Sequence, residues 1–323
     1  MTRIPIIIIH SGSQFYLKNL IHHIRVFNPE ADVFLLGDDS NKDFAKNQLT
    51  HIQYNKYSAS ANNFAEKYIH LNTNDYHYEL FCIQRWFIIR EFVEERNIKN
   101  FFVCDSDELL FCNIESVMEP YIHYDFTIGK YGIPNSMLWS FDGIVKFTNF
   151  VNKAYQNNEL LSKLKSVYES CFIDGHRISM GGVSDMVLFS LYQEQVGSNV
   201  IDLSDPSSGA CWDTAMTHGR GFEMQNGLKK IVWENNIPYG LFKGEKIRFY
   251  GLHFLGQSKM RQHYYLVDDT GQHIDPIPFK LKFDMAINWL VKFFNGFKRP
   301  LFFIRRYINK VKTNYWRKKY NFK

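Results

Sequence analysis

The 323-residue sequence lacks the features that mark several common classes of protein. Its five cysteines form no CxxC pair, so we interpret them as reduced core residues. No apolar run approaches the length of a membrane span, and the first residues do not resemble a signal peptide. There is no GxxxxGK[ST] loop and no glycine-rich nucleotide fingerprint. We therefore expect a cytoplasmic protein without a P-loop.

Acidic residues are absent from the C-terminal end. From Met285 onward there are eleven Lys or Arg and no Asp or Glu, whereas the first 284 residues carry 27 basic and 33 acidic side chains. The pattern predicts a basic amphipathic helical tail over 276–323, which favours the inner face of the cytoplasmic membrane. The alternative is a solvated helix packed on the core. The acidic body argues against nucleic acid as a partner.

Apolar strands alternate with amphipathic helices through the first half of the chain, which predicts a parallel sheet in an α/β fold. The predicted strands are 4–9, 32–36, 101–104 and 126–129, and the predicted helices are 14–27, 80–96, 114–121 and 141–156. Residues 166–265 contain shorter elements separated by Gly, Pro and Asn turns, including a strand at 247–250.

Two carboxylates follow the apolar strand 101–104, in the tripeptide Asp105-Ser106-Asp107. Consecutive residues of a strand point to opposite faces, so residues 105 and 107 share a face. Ionised carboxylates at the end of a buried strand need a partner, and Mg²⁺ or Mn²⁺ carrying a diphosphate is a suitable one. The alternative is a pair of carboxylates at the strand end that only caps the next helix.

A second motif, His253-Phe254-Leu255-Gly256-Gln257-Ser258-Lys259, follows the predicted strand at 247–250. A neutral imidazole can complete a metal site begun by two aspartates. The glycine lets the backbone approach a phosphate, and the lysine can neutralise a diphosphate. Together with the two carboxylates, this HxxGxxK pattern indicates a site for a metal-bound diphosphate.

The order of these motifs resembles that of GT-A-fold glycosyltransferases. It looks most like the family 8 retaining enzymes typified by glycogenin and bacterial lipopolysaccharide galactosyltransferases. A helix bearing Arg85 precedes the DxD strand, Ser184-Asp185-Met186 stands at a family DQ element, and the HxxGxxK segment matches the start of HFxGxxKPW. Met186 replaces the glutamine, and Met260-Arg261 replaces the final Pro-Trp.

A similar family of bacterial capsule and lipopolysaccharide transferases also carries a Trp-Asp pair and a Gly-Phe-Glu turn, like Trp212-Asp213 and Gly221-Phe222-Glu223 here. The matches cover about residues 1–265 in order. The resemblance implies a GT-A catalytic domain over 1–275, with a nucleotide-binding half at 1–130 and an acceptor-side, metal-completing half at 131–275. The helical basic tail follows.

The resemblance also implies roles for individual residues. Mn²⁺ or Mg²⁺ is held by Asp105, Asp107 and His253. The donor, a UDP-sugar, is bound by residues at the strand ends and in the two motifs: His10, Ser11, Gly12, Asp38, Asp39, Arg85, Ser106, Gly256 and Lys259.

The predicted catalytic residues are Arg85, Asp185 and Asp213. Arg85 reaches the sugar or phosphate, or else pairs with an acidic neighbour such as Glu79. Asp185 meets the acceptor, or else caps the helix that begins at the next residue. Asp213 has the same ambiguity, and Trp212 offers a ring on which an acceptor can stack.

The leading hypothesis is a metal-dependent glycosyltransferase that uses a UDP-sugar to extend a saccharide or lipid-linked oligosaccharide in the synthesis of surface polysaccharide, either lipopolysaccharide or capsule. The alternative is a metal-dependent nucleotidyl- or phosphotransferase acting on an acidic polymer, with the same carboxylates holding a metal-bound triphosphate. A third hypothesis, a noncatalytic carbohydrate-binding protein, does not require the two carboxylates.

Overall fold

The computed structural model describes residues 3–45, 48–196 and 199–274. The strands in the first part of the chain are β1 (Ile6–Ile9), β2 (Val33–Gly37), β3 (Thr50–Gln53), β4 (Asn100–Cys104), β5 (Glu108–Leu110), β6 (Phe126–Ile128), β7 (Ser136–Ser140), β8 (Phe172–Ile173) and β9 (His176–Arg177). Those that follow are β10 (Val200–Asp202), β11 (Ala210–Cys211), β12 (Met224–Gln225), β13 (Leu228–Lys229), β14 (Ile231–Glu234), β15 (Ile237–Phe242), β16 (Glu245–Phe249) and β17 (Gly251–His253).

The helices alternate with the strands, as the sequence predicts. They are α1 (Phe15–Phe27), α2 (Ala59–Ala65), α3 (Tyr76–Glu95), α4 (Ile114–Met118), α5 (Phe141–Gln156), α6 (Asn158–Glu169) and α7 (Asp185–Val196). The start of α3 lies four residues before the predicted one because Asp75 caps it. The Asp75 carboxylate accepts hydrogen bonds from the amides of His77 (2.9 Å) and Tyr78 (3.1 Å), a contact that typically stabilises a helix by about 1 kcal/mol.

The central sheet has seven strands in the order β10-β6-β7-β4-β1-β2-β3. All neighbouring pairs are parallel except those of β7, which runs antiparallel to both β4 and β6. The predicted mostly parallel α/β sheet is therefore confirmed. The sequence analysis did not predict β3 or β7, and β7 decides the position of several side chains beside the candidate site.

Apolar layers cover both faces of this sheet. In β1, Ile7 and Ile9 pack into a core cluster with α2, α3, α5, α6 and α7, whereas Ile6 and Ile8 pack into a second cluster with α1 and α4. Alternate residues of a strand point to opposite faces, so an all-isoleucine strand has to be covered on both. Each fully buried isoleucine contributes about 2 kcal/mol of hydrophobic stabilisation.

A smaller sheet after the central one precedes the second motif. Its strands lie in the order β11-β16-β15-β14, and the chain then continues into β17, which pairs antiparallel with β5. In that pairing His253 lies opposite Glu108, one residue beyond Asp107. The two motifs, which are far apart in sequence, thus become neighbours through one short strand pair.

His23 is a fully buried histidine of α1 that links this helix to β5. Its Nδ1 donates to the carbonyl of Leu110 (3.1 Å), and its Nε2 accepts from the amide of Val267 (3.4 Å). Burial lowers the pKa of His23 from 6.5 to about 3, so the ring is neutral in the folded protein. In the unfolded chain this histidine takes up a proton below pH 6.5, whereas in the folded protein it stays neutral down to about pH 3. We therefore expect the free energy of unfolding to fall by about 1.4 kcal/mol per pH unit from pH 6.5 towards pH 3.

Denaturant unfolding across this pH range measures the effect. A His23→Gln variant can keep both hydrogen bonds without titrating, so we expect it to lose the part of the slope that one proton produces. His123→Gln changes an exposed histidine and should keep the wild-type slope. Equal slopes in the wild type and in His23→Gln would contradict the prediction.

The described residues up to 262, together with 266–273, form one compact unit. The predicted tail at 276–323 lies outside the described residues. The predicted boundaries at residues 130 and 275 stay predictions. No helix in the described part of the chain is long and apolar enough to cross a membrane.

Candidate functional site

The tripeptide Asp105-Ser106-Asp107 forms a turn between β4 and β5, not a continuation of the strand. The amide of Glu108 donates back to the carbonyl of Asp105 (3.2 Å), and the amide of Asp105 donates to the carbonyl of Asn135 (2.7 Å), the residue before β7. The two carboxylates therefore come together through a turn, and not through the strand alternation on which the sequence analysis relied. The predicted alternative, capping of the next helix, is wrong because β5 comes next and Asn113 caps α4.

His253 completes a group of three side chains whose ligand atoms lie within 4.8 Å of one another, together with Asp105 and Asp107. Its Nδ1 hydrogen bonds to the carbonyl of Thr214 (2.9 Å), and its Nε2 faces Asp107 Oδ1 (3.3 Å). A histidine bonded in this way through Nδ1 presents Nε2 as the ligand atom. Two carboxylate oxygens and one imidazole nitrogen suit Mn²⁺ or Mg²⁺, so the residues present fit the predicted metal.

Asp107 is the most strongly paired carboxylate of the group. In addition to His253, it contacts Lys259, whose Nζ lies 2.9 Å from Asp107 Oδ2. Burial opposes ionisation of Asp107, but these two cations outweigh it and hold its pKa below the usual range. Conversely, although burial alone lowers the pKa of His253, Asp107 raises it to about 10. His253 and Lys259 therefore supply the positive charge that balances Asp107.

Arg85 connects the candidate metal site to Asp185. From α3, its guanidinium donates to Asp105 Oδ1 (2.6 Å) and to Asp185 Oδ2 (2.8 Å). The alternative partner Glu79 does not pair with Arg85; its Oε1 accepts from Asn74 (2.7 Å). Asp185, the first residue of α7, also accepts from the indole of Trp86 (3.2 Å).

Asp213 lies beneath the site with a fully buried side chain. Its Oδ2 accepts from the backbone amide of His253 (3.0 Å), and its Oδ1 accepts from the amide of Ala215 (3.2 Å) and forms an ion pair with the buried Lys229. Trp212 is also buried, against Phe102 at 5.4 Å, so the prediction that its ring receives an acceptor is wrong. These contacts indicate that Asp213 positions His253.

The predicted donor residues at the ends of β1 and β2 form one hydrogen-bonded pair of loops. Asp38 Oδ2 accepts from the hydroxyl of Ser11 (2.9 Å) and the amide of Gly12 (2.8 Å). The exposed Asp39 instead bonds to Gln53 (2.6 Å) on β3.

One side of these loops reaches the candidate site through Tyr16. The ring of His10 lies edge-on to Tyr16, with 5.8 Å between centroids, and Lys259 Nζ lies 4.8 Å from the Tyr16 ring. Gly256 adopts a φ of +52°, which favours glycine, and nothing lies within 4 Å of the position that a Cβ would take. Ser106 occupies the middle of the aspartate turn.

Two buried polar residues that the sequence analysis missed support the turn. Glu108 is completely buried, and its carboxyl accepts from Asn135 (2.5 Å) and from the hydroxyl of Ser136. Burial raises the pKa of Glu108 to about 8. Asn135 also donates to the carbonyl of Asp213 (3.0 Å), which ties the aspartate turn to the segment beneath His253. The only sequence signal for Glu108 was a third acidic residue between Asp107 and the apolar run 109–111, and Asn135 had no signal.

Comparison with known proteins finds solved structures that resemble this one, but no match at the level of sequence. No family model matches the sequence, and no curated protein matches it. Similar solved structures include mouse xyloside xylosyltransferase 1, with 9% identity, a TM-score of 0.45 and coverage of 63% of this chain and 86% of that one. An active-site mutant of the galactosyltransferase LgtC has 10% identity, a TM-score of 0.41 and coverage of 78% and 88%.

A cytidylyltransferase from Leptospira borgpetersenii is also similar, with 10% identity, a TM-score of 0.30 and coverage of 60% of this chain and 95% of that one. Two of these three proteins are glycosyltransferases, the class that the sequence motifs resemble. At such values of identity and TM-score, similarity alone assigns no activity to this chain. Its function has to be inferred from the side chains of the site.

Proposed function

We propose that this protein is a metal-dependent glycosyltransferase that transfers a sugar from a UDP-sugar to a saccharide or lipid-linked oligosaccharide. The observation that carries the proposal is the convergence of Asp105, Asp107 and His253, with Lys259 bonded to the same aspartate. This combination provides ligands for a divalent cation and a cation for a diphosphate. Both lie beyond the carboxyl end of β4, where ligands bind in parallel α/β sheets.

The proposed roles follow from where charge develops during transfer. The bond between the sugar and the diphosphate breaks through an oxocarbenium-like state, and negative charge grows on the departing nucleoside diphosphate. A metal held by Asp105, Asp107 and His253 supplies Lewis-acid stabilisation of that charge. Lys259 leaves Asp107 to contact the diphosphate, and Gly256 allows the backbone to approach it.

On the acceptor side, we assign Asp185 to the contact with the acceptor hydroxyl, which it orients or deprotonates. Arg85 holds Asp185 and Asp105 at a fixed separation, since one guanidinium bonds to both. The catalytic role predicted for Asp213 stays a prediction, because its carboxylate is occupied by Lys229 and by the backbone of His253. The loops that carry His10 and Asp38 provide the nucleotide end of the proposed donor site.

The setting of the reaction is also proposed and rests on the sequence. We place the protein at the inner face of the cytoplasmic membrane through its basic tail at 276–323, acting in the synthesis of lipopolysaccharide or capsule. The division into a nucleotide half, an acceptor half and a tail belongs to the same proposal.

Turnover of a panel of UDP-sugars tests the proposed activity. The purified protein should release UDP, and Mn²⁺ should stimulate the release. Lys259 and His253 both pair with Asp107 in the ligand-free protein. Mn²⁺ can replace these pairs most easily when a diphosphate is present to receive Lys259, so UDP and Mn²⁺ together should raise Tm by more than the sum of their separate effects. Saturating ligand at about 100 times its Kd stabilises a protein by about 2.7 kcal/mol. Turnover of nucleoside triphosphates with no UDP-sugar consumed would instead support the nucleotidyltransferase alternative.

A further inference from the structure

A cluster of one aromatic ring and two cations lies at the rim of the candidate site. Tyr131 is 64% exposed, although two cations approach its ring. The guanidinium carbon of Arg220 lies 4.9 Å from the ring centroid, and Nζ of Lys130 lies 5.5 Å from it. Among the described residues, neither cation forms an ion pair with a carboxylate. We call these three residues the rim cluster.

Two intermediate contacts connect the rim cluster to the candidate site. Arg220 donates to the hydroxyl of Thr214 (2.6 Å), and the carbonyl of Thr214 receives the Nδ1 hydrogen bond of His253. On the other side, Gly132 packs so closely on Met186 that a Cβ there would lie 2.5 Å from the Met186 carbonyl. Met186 follows Asp185, the residue assigned to the acceptor. The cluster is therefore linked to the metal side through Thr214 and to the acceptor side through Gly132, the residue after Tyr131.

Both large residues of the cluster adopt backbone conformations that they rarely take. Tyr131 has a φ of 65° and Arg220 a φ of 48°. The other described non-glycine residues with positive φ are asparagines, one aspartate, and Lys243 in the turn between β15 and β16. Arg220 occupies the turn closed by the hydrogen bond from Phe222 N to Gly219 O (2.8 Å), where Asn or Gly is the usual choice. Unfavourable backbone conformations concentrate at functional positions.

We propose that the rim cluster binds the acceptor, and that this acceptor is a saccharide carrying an anionic group. A sugar ring packs its apolar C–H face on Tyr131, and a carboxylate or phosphate on the same saccharide bonds to Arg220, with Lys130 beside it. Arginine suits this task because its planar fork matches the geometry of both anions. The inference rests on the proposed transferase function, which it deepens by naming the class of acceptor.

Binding to matched pairs of saccharides tests the proposal. The pairs are a glucuronate-containing disaccharide against its glucose counterpart, and glucose 6-phosphate against glucose, each titrated by NMR or calorimetry with UDP and Mn²⁺ present. We expect the anionic member of at least one pair to bind about five- to tenfold more tightly, with a preference that shrinks as salt is added. The pair that shows the preference identifies whether the anion is a carboxylate or a phosphate.

Variants separate charge recognition from stacking and from loss of structure. Arg220→Gln should abolish the preference, while Arg220→Lys should keep part of it, because the charge remains. Tyr131→Ala should weaken the binding of both saccharides in a pair, whereas Tyr131→Phe should leave both affinities unchanged. Arg3→Gln is the matched control, since Arg3 is exposed and precedes β1 at the end opposite the candidate site.

Equal affinity for both members of every pair, or a preference that survives in Arg220→Gln, would overturn the acceptor proposal. Absence of binding by every saccharide tested would also count against it. The proposed transferase function is judged separately by UDP release from UDP-sugars in the wild type. Release of UDP without charge preference refutes only the acceptor proposal. Charge preference without release refutes the transferase and leaves the rim cluster as a binding site for an anionic saccharide that is not an acceptor.

Discussion

Replacing Asp107 with asparagine should lower sugar transfer by about 10³-fold, the largest loss that we expect from a single isosteric change. The variant removes a charged ligand from the proposed metal site. It also removes the group that raises the pKa of His253 and that pairs with Lys259. We expect the affinity for Mn²⁺, measured by calorimetry or electron paramagnetic resonance, to fall by at least 10-fold, on the order of what metal-site changes cost.

Asp142→Asn provides the control for this change. Asp142 is an exposed carboxylate in the first turn of α5, and the same substitution there should change neither Mn²⁺ binding nor turnover. An Asp107→Asn enzyme with full activity would refute the proposed metal site. If activity is lost while Mn²⁺ still binds with wild-type affinity, Asp107 contributes to the reaction through Lys259 and not through the metal.

Arg85→Gln should destabilise the folded protein by about 3 kcal/mol, on the order of a 10 °C fall in Tm. Arg85 is 13% exposed and bonds to both Asp105 and Asp185, so its loss leaves two carboxylates in a poorly solvated site without their cation. Coulombic attraction to these aspartates outweighs burial and raises the pKa of Arg85, so the guanidinium is charged at every accessible pH. Turnover should fall as well, because Asp185 loses its fixed position.

Arg90→Gln is the matched control on the same helix. Arg90 donates to Thr148 (2.9 Å) and Asn149 (3.0 Å), which are neutral, so its loss should cost only about 1 kcal/mol. The double variant Arg85→Gln with Asp185→Asn should recover part of the stability, since it removes one unpaired charge. Equal losses of Tm in Arg85→Gln and Arg90→Gln would show that the two ion pairs contribute no more than ordinary hydrogen bonds.

The sequence predicted the centre of the fold well because its signals are local. The apolar runs that became β1, β2 and β4 were found to within two residues, and their alternation with helices predicted the parallel sheet. The antiparallel β7 was not found, since its pairing with β4 and β6 depends on residues elsewhere in the chain. The late predicted start of α3 has a local cause, because the cap at Asp75 was overlooked.

The sequence predicted most residues of the candidate site, but it did not predict how they are arranged. Residue type and spacing singled out both aspartates, the histidine and the lysine of the HxxGxxK motif, and the structure brings all four together. The same reasoning predicted that an acceptor stacks on the ring of Trp212, whereas that ring is buried. It also gave Asn135 no role, because an isolated asparagine carries no periodic signal.

By itself, the sequence determined the chemical groups of this protein and the order in which the chain presents them, because residue type, period and charge are local properties. Only the tertiary structure decided which groups meet. The pairing of β17 with β5 places His253 beside Asp107, and the packing of α3 against the start of α7 places one arginine between two aspartates. Side chains separated by about a hundred residues or more meet only after the hydrophobic layers have fixed the strands and helices that carry them.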